Sequence, residues 1–413
     1  MATVAVRQDG SARALPRLAA LTLALLLLVG LYCPTSVAEN FSPLLYGINY
    51  LICFALLLLL SLGARRRPGA AACMVALSIV PVLLFFTSVS GLATYTYGAL
   101  PGYVVLSLLF LVDLRETAFP AWLYGLYAVL NALNLVACAA ILAGNEWITS
   151  LLITHYSVFY PDLVANMLLM RMPVLTFGTH SLAAFFLYLF FYAAFQTYRL
   201  RRKRLFLVFA VGYVLLTLAL LSVTGVVLAS LALVQMAHHF GSSLRHRWLW
   251  VAGVLAAACL IAIFVPIEPL FESTRDLVAG ARDIVADPGA GFLGRLMPGG
   301  TLYYDLQYLQ EHPFRPVGVS YREGLMLGDS GIIEYFLRGS VLLVLLVYGG
   351  FFLFLKRNLV AKADLYLLFA VTLAFETGFT VLTYPRTLYL LPFLVVYLNG
   401  LRRSHPADRA AIS

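Results

Sequence analysis

The feature that most constrains this chain is a succession of apolar runs, each about as long as a bilayer is thick. A helix needs about 17–25 mostly apolar residues to cross the hydrocarbon core of a membrane. Runs of this length recur throughout the 413 residues, of which 62% are hydrophobic and only 11% are charged. A soluble domain carries about 25% charged residues, and the short alternating strands of a membrane barrel do not occur in the sequence. We therefore predict an all-α, polytopic transmembrane bundle.

The basic residues lie in short links between these runs, and their placement sets the predicted topology. The formal net charge of +9 could indicate nucleic-acid binding in a soluble protein. Here the densest clusters, 65–67, 199–204 and 402–403, each follow an apolar run, as the positive-inside rule requires of cytoplasmic links. We predict no nucleic-acid partner, about twelve spans and both termini in the cytoplasm.

The predicted spans divide the chain into four parts. These are nine spans in 1–266 that include an outer segment at 145–180, a long extracytoplasmic loop in 267–330, three spans in 331–401, and a cytoplasmic tail in 402–413. The spans themselves are 18–37, 44–62, 70–89, 99–112, 119–143, 181–198, two within 205–237 separated near 222–225, 248–266, 332–355, 365–382 and 387–401.

One junction between polar and apolar sequence stands apart from the rest. Over 316–340 a glycine-punctuated polar segment meets a long apolar run, with acids and arginines on both sides. Loops as long as the one before this junction are usually functional or disordered, and its many aromatic residues argue against disorder. The spacing of its leucines predicts an amphipathic helix over 301–310. We therefore expect the junction to border the working site.

Arginines of the outer face are the first candidates for chemistry there. The guanidinium fork matches phosphate oxygens, so arginines that face a membrane cavity suit a lipid-linked phosphate or pyrophosphate. Each could equally reach the headgroup region or pair with an acid, and the sequence leaves both interpretations open. The candidates are Arg171, Arg295, Arg315 and Arg322.

Acidic residues near the junction have competing interpretations as well. Asp329 precedes a predicted helix, where it could serve as the N-cap, or its carboxylate could deprotonate an acceptor hydroxyl. Glu334 and Arg338 lie one turn apart and are expected to pair. Glu376 lies inside the predicted span 365–382, where an ionisable residue is a functional candidate by default. It could bond to a neighbouring helix, carry a proton or line a cavity.

Nothing in the sequence indicates a metal or a cofactor. The five cysteines lack the spacing of metal ligands. His238, His239 and His246 have neither a cysteine nor a carboxylate close by in the chain. A glycine-rich phosphate loop, a paired-histidine zinc helix and a nucleophile-elbow serine are also missing from the sequence. We predict a protein without a metal or cofactor.

Three segments of the chain, at 171–180, 221–229 and 294–331, together resemble the bacterial family of O-antigen polymerases and O-antigen ligases. The first is Arg171-Met-Pro-Val-Leu-Thr-Phe-Gly-Thr-His180, which leads into a middle helix. The second, Leu221-Ser-Val-Thr-Gly-Val-Val-Leu-Ala229, resembles the next helix hairpin of the family, although the family's common serine-arginine pair is missing. The third combines Gly294-Arg295, His312-Pro-Phe-Arg-Pro-Val-Gly318 and Asp329-Ser-Gly331, similar to the long periplasmic loop.

The resemblance implies a membrane glycosyltransferase of the GT-C type in the bacterial inner membrane, with its site facing the periplasm. The donor and acceptor would be glycans linked to undecaprenyl diphosphate, and a chain-length regulator protein is a further possible partner. Arg171 and Arg295 would hold the donor pyrophosphate, and Asp329 stands where the ligases have a catalytic histidine. This difference favours repeat-unit polymerisation over ligation. Further candidates for substrate binding are His180, Arg315, Tyr321, Arg322, Glu334 and Arg338.

Two other functions compete with polymerisation. An O-antigen ligase of the same family would transfer the finished glycan to the lipid A core. A lipid-glycan flippase or other transporter belongs to a different class, and transporters usually combine internal repeats with discontinuous helices. The sequence has no evident two-fold repeat, which disfavours a transporter.

Overall fold

A computed structural model describes residues 8–33, 43–64, 68–90, 94–156, 168–169, 171–177, 179–220, 222–241, 298, 300, 302–311 and 330–404. Within these ranges the protein contains thirteen helices and no strand. The helices are α1 (Gln8–Tyr32), α2 (Pro43–Ala64), α3 (Pro68–Ser90), α4 (Thr94–Leu111), α5 (Ala121–Leu142), α6 (Glu146–Tyr156), α7 (His180–Arg201), α8 (Arg204–Ala219), α9 (Val223–Gly241), α10 (Tyr303–Glu311), α11 (Gly331–Asn358), α12 (Lys362–Glu376) and α13 (Pro385–Arg403).

Four of the described helices are long and apolar enough to cross a membrane, namely α5, α7, α11 and the part of α3 from Gly69 to Thr87. Five shorter helices are also apolar. Large apolar side chains point outward from the described helices, and Leu51, Val136 and Leu345 are each more than 60% exposed. Such a surface suits lipid and not water, so the all-helical membrane prediction is confirmed at this level.

Most predicted spans coincide with helices, and two end earlier than predicted. The long run 205–237 is divided between α8 and α9, as predicted, and α10 confirms the amphipathic helix. The predicted span 365–382 is too long, because α12 ends at Glu376, whose carboxylate accepts hydrogen bonds from the N–H groups of Val381 and Leu382. The first helix ends at Tyr32, before the predicted limit at 37. The predicted span 248–266 lies outside the described residues.

The chain forms two compact units. The first comprises 1–129 and 298–413, and the second comprises 130–297, with the boundary inside α5. In the first unit α13 is the central helix, since it packs against α1, α2 and α4 and is buried along nearly its whole length. Phe119, Tyr124, Tyr127, Phe393 and Tyr397 form an aromatic cluster against it.

Polar contacts fix one end of the first unit. Arg402 of α13 binds both carboxylate oxygens of Asp364 at 2.7 and 3.1 Å. The Asn399 side chain bonds to the backbone of Asn358 and Val360. Because Lys356 and Arg357 end α11, and Arg402 and Arg403 end α13, we call this the basic end of the first unit.

In the second unit α7 packs against α8 and α9, and nearly all of its side chains are buried in the protein. Two polar contacts join helices inside this unit. The Tyr213 hydroxyl donates to Asn131 at 2.6 Å, and the Gln235 amide donates to the Tyr188 hydroxyl at 2.7 Å. A helix so enclosed by protein is held by side chains on all its faces.

Candidate functional site

The start of α11 is the described part of the junction singled out from the sequence. Ser330 is the N-cap of this helix, and its hydroxyl accepts a hydrogen bond from the N–H of Ile333 at 3.5 Å. The capping role considered for Asp329 therefore falls to the next residue. Ser330 is 4% exposed, so the chain enters the protein interior at this point.

The first turns of α11 carry an ion pair that the sequence predicted. The Nε of Arg338 lies 2.8 Å from one carboxylate oxygen of Glu334, one helical turn earlier. The other oxygen of Glu334 accepts a hydrogen bond of 2.6 Å from the Thr380 hydroxyl, in the link between α12 and α13. Both side chains of the pair are about 10% exposed. The pair is thus a buried contact that joins α11 to the following link.

Glu376, the last residue of α12, is the centre of the same group of contacts. One of its carboxylate oxygens accepts hydrogen bonds from the N–H groups of Val381 and Leu382 at 2.7 and 2.6 Å. Tyr335 donates to this oxygen at 3.4 Å, and Tyr348 donates to the other at 3.1 Å. The side chain is fully buried. With four donors around it, the carboxylate is satisfied within the protein.

The close approach of Glu376 to α11 depends on a glycine. A Cβ atom at Gly331 would lie 1.7 Å from a carboxylate oxygen of Glu376. Real Cβ contacts are never so short, so any side chain here would displace the carboxylate from its donors. We call Ser330, Gly331, Glu334, Tyr335, Arg338, Tyr348, Glu376 and Thr380 the α11 polar cluster.

The helix α11 is discontinuous, and the break gives the cluster its shape. Gly339 and Ser340 have non-helical backbone angles, with Ser340 at φ 56° and ψ −167°. A Cβ at Gly339 would lie 2.8 Å from the ring of Phe85 and 2.5 Å from Leu343. The rings of Tyr335 and Tyr348, one on each side of the break, meet edge-to-face with centroids 5.6 Å apart. The break thus brings both hydroxyls to one carboxylate.

The amphipathic helix α10 packs against the first half of α11. Tyr308 and Leu309 of α10 contact Leu337 and Ile333 of α11, which is the arrangement expected from the leucine spacing. Tyr304 of the same helix is 52% exposed. A helix of the predicted outer loop therefore lies beside the polar cluster and presents an aromatic ring to its surroundings.

Arg171 belongs to the second unit and has a different environment. Its backbone is in the left-handed region, with φ 58°, and its side chain is exposed. Its guanidinium lies against Gly144, where a Cβ would come within 2.8 Å of Cζ. Gly144 itself has φ 70°, a conformation that glycine adopts without cost. The guanidinium therefore packs against the backbone of Gly144. It makes no ion pair with the residues that the structure describes.

His180, predicted to bind substrate, is the first residue of α7 and is half-buried. The preceding Thr179 caps the helix, since its hydroxyl accepts a hydrogen bond from the N–H of Leu182 at 3.2 Å. Of the predicted site residues, the structure brings Glu334 and Arg338 together in the first unit and describes Arg171 and His180 in the second. Asp329, Arg295, Arg315, Tyr321 and Arg322 lie outside the described residues.

Several polar residues of the cluster were not predicted from the sequence. Thr380, Tyr335 and Tyr348 lie in apolar runs, where nothing local distinguishes them from ordinary span residues. Glu376 was named from the sequence as an isolated charge in a predicted span, and its bonds to Tyr335 and Tyr348 of α11 match one of its three possible roles, bonding to a neighbouring helix. Arg386 was also missed, although it is fully buried and donates to three carbonyl groups at the end of α1. Arg386 lies at the border of a predicted span, where a basic residue is ordinarily explained by membrane topology.

Within the described ranges, no group of three or more His, Cys, Asp and Glu side chains could hold a metal ion. The groups that the cluster offers are hydroxyls, carboxylates and one guanidinium, which can bind and orient polar ligands. In comparisons with family models, with curated proteins and with solved structures, the chain matches none.

Proposed function

We propose that the protein is a membrane glycosyltransferase that polymerises oligosaccharide repeat units carried on undecaprenyl diphosphate, at the periplasmic face of a bacterial inner membrane. The proposal rests on the resemblance of the three sequence segments and on the helical membrane character of the chain. The proposal includes a fold of the GT-C type with about twelve membrane spans. No metal or nucleotide sugar takes part.

The observation that carries this proposal is the environment of Arg171. An exposed guanidinium without an ion pair among the described residues keeps its donors available for an anion. The guanidinium packs directly against Gly144, where any side chain would displace it. Departure of a diphosphate leaving group needs permanent cationic stabilisation, which arginine supplies in a bidentate geometry.

The resemblance implies Asp329 as the base for the acceptor. In the proposed step the acceptor hydroxyl oxygen bonds to the anomeric carbon while the bond from that carbon to the diphosphate oxygen breaks. The hydroxyl proton passes to the carboxylate of Asp329, and undecaprenyl diphosphate leaves. Asp329 directly precedes Ser330, whose buried cap fixes the start of α11. Proton transfer needs a carboxylate held within hydrogen-bond reach of the hydroxyl.

Arg171→Gln tests the proposal in the purified protein, reconstituted with undecaprenyl-diphosphate repeat units. We expect loss of one charged donor to slow glycan elongation at least about 100-fold, measured as the ladder of lipid-linked products. Arg171→Lys should retain part of the rate, because the charge remains while the fork is lost. Arg202→Gln is the matched control, since Arg202 is also exposed and left-handed in the same unit but lies in the predicted cytoplasmic cluster. Elongation at the normal rate in Arg171→Gln would refute the assignment.

The break in α11 favours a transporter as the second candidate. Secondary transporters often build their substrate sites from interrupted helices, and α11 is interrupted beside a buried polar cluster. A transporter would move labelled lipid-linked glycan across a liposome membrane without lengthening it. The same preparation therefore separates the two functions, because only the polymerase converts the glycan into longer products.

A further inference from the structure

A groove lies between α4 and α11 at the basic end of the first unit. Its volume is about 510 Å³, and it is lined by Phe110, Gly350, Leu353, Phe354, Lys356 and Arg357. Four of these residues are apolar or glycine and two are cationic. The groove thus has the two-part chemistry of a lipid, with an apolar trough and a positively charged end.

The apolar part of the groove is shaped by one glycine. A Cβ at Gly350 would lie 2.7 Å from two ring carbons of Phe110, so the ring lies directly over the helix backbone. Leu353, one turn further along, is 62% exposed and forms a wall. Phe110 also contacts Phe354 across the two helices, with ring centroids 6.4 Å apart. The trough is therefore narrow and its floor is fixed.

The two cations at the end of the groove have different tasks. Arg357 donates to the carbonyl groups of Phe110 and Val112 at 2.5 and 2.7 Å, which holds the end of α4 against α11. The Lys356 side chain is exposed and has no hydrogen bond or ion pair with any residue that the structure describes. Lys356 is therefore available to an anion from outside, next to a second positive charge.

We propose that this groove binds an anionic phospholipid, with one acyl chain in the trough and the headgroup phosphate on Lys356. Charge complementarity selects an anionic over a zwitterionic lipid, and basic pockets between helices are suited to such headgroups. A lipid matches both the apolar trough and Lys356, whereas a soluble anion would match only Lys356. The inference is independent of the proposed glycosyl transfer.

The test is native mass spectrometry of the full-length protein titrated with phosphatidylglycerol. We expect Lys356→Gln to weaken binding about five-fold, as loss of one cation at a membrane surface does, without changing the binding of phosphatidylcholine. Lys362→Gln is the matched control, because Lys362 begins α12 beyond the same end and is exposed. An equal loss in both variants would show general surface attraction and overturn the site.

Crosslinking gives a second readout that does not depend on charge removal. A photoreactive benzoylphenylalanine at Leu353 should capture phosphatidylglycerol in preference to phosphatidylcholine. The same residue at Leu346, which is 53% exposed on the same helix, should capture both alike. Equal capture of the two lipids at Leu353 would contradict the proposal. Full displacement by soluble glycerophosphoglycerol would also contradict it, since the acyl chain would then add nothing.

Discussion

At the scale of single residues, Arg386 is a fully buried cation bonded to backbone carbonyl groups. Its guanidinium donates to the carbonyl groups of Gly30 and Leu31 at 2.9 Å and of Cys33 at 3.1 Å. These carbonyls belong to the C-terminal end of α1, which lacks partners within the helix. A cation at this position also compensates the negative end of the helix dipole. Arg386 therefore joins α13 to the end of α1.

Arg386→Gln should destabilise the protein by about 3 kcal/mol, because it leaves buried carbonyl groups without donors. Thermal unfolding in detergent measures the loss. Arg386→Lys should recover little of it, since an ammonium group does not reproduce the planar fork. Arg17→Gln serves as the control, as Arg17 is exposed. If Arg386→Gln unfolded at the same temperature as the control, the proposed role of Arg386 in joining the two helices would be wrong.

Gly331 provides a second residue-level prediction. Gly331→Ala places a methyl group where a carboxylate oxygen of Glu376 lies 1.7 Å away, so Glu376 must leave its backbone donors. We expect a loss of about 2–3 kcal/mol from strain and unsatisfied groups. Gly349→Ala, in the same helix, should be tolerated, because nothing lies within 4 Å of its Cβ. Comparison of the two melting temperatures tests the packing directly, and equal values would contradict it.

At the scale of elements, the break in α11 is the feature that departs most from a simple span. Ser340 has φ 56° and ψ −167°, close to a region that only glycine occupies readily. Its hydroxyl accepts a hydrogen bond from the N–H of Leu342 at 3.4 Å, which compensates part of this strain. The second half of the helix therefore starts with its own cap.

Substitution at Ser340 should reveal the strain. Ser340→Val should cost about 3 kcal/mol, because a β-branched residue is disfavoured at positive φ and cannot cap. Ser340→Gly should change stability by less than about 1 kcal/mol, since released strain offsets the lost cap. Leu342→Val, at an exposed helical position, controls for the change to valine. A similar melting temperature for Ser340→Val and Leu342→Val would mean that α11 is continuous in solution.

Apolar periodicity and run length predicted most of the described helices, because lipid-facing helices must be apolar over a fixed length. The same signal could not place the end of α12. Residues 377–382 are as apolar as a helix, but the contacts of Glu376 with Val381 and Leu382 hold the chain in a turn there. The pairing of Glu334 with Arg338 was predictable because it is local. The partners Thr380, Tyr348 and Glu376 come together through tertiary structure, which no local pattern encodes.

At the scale of the whole molecule, the positions of the basic clusters make the predicted orientation testable. Arg202 follows α7, and Lys362 begins α12 at the basic end of the first unit. Trp147, in α6, is 71% exposed and lies in a predicted outer segment. The positive-inside rule places the first two in the cytoplasm and the third outside. Each position is exposed enough to carry a reactive cysteine.

A variant without the five native cysteines can carry one new cysteine at each position for labelling with an impermeant maleimide. We expect Trp147→Cys to react in intact cells, and Arg202→Cys and Lys362→Cys to react only after permeabilisation. If Lys362→Cys reacted from outside, the orientation of α11 in the membrane would be the opposite of the predicted one, because Lys362 follows the basic end of this helix. Ser330 and the polar cluster would then face the cytoplasm, where a periplasmic polymerase has no use for them. Labelling at this single position therefore tests the orientation of α11 and the proposed function together.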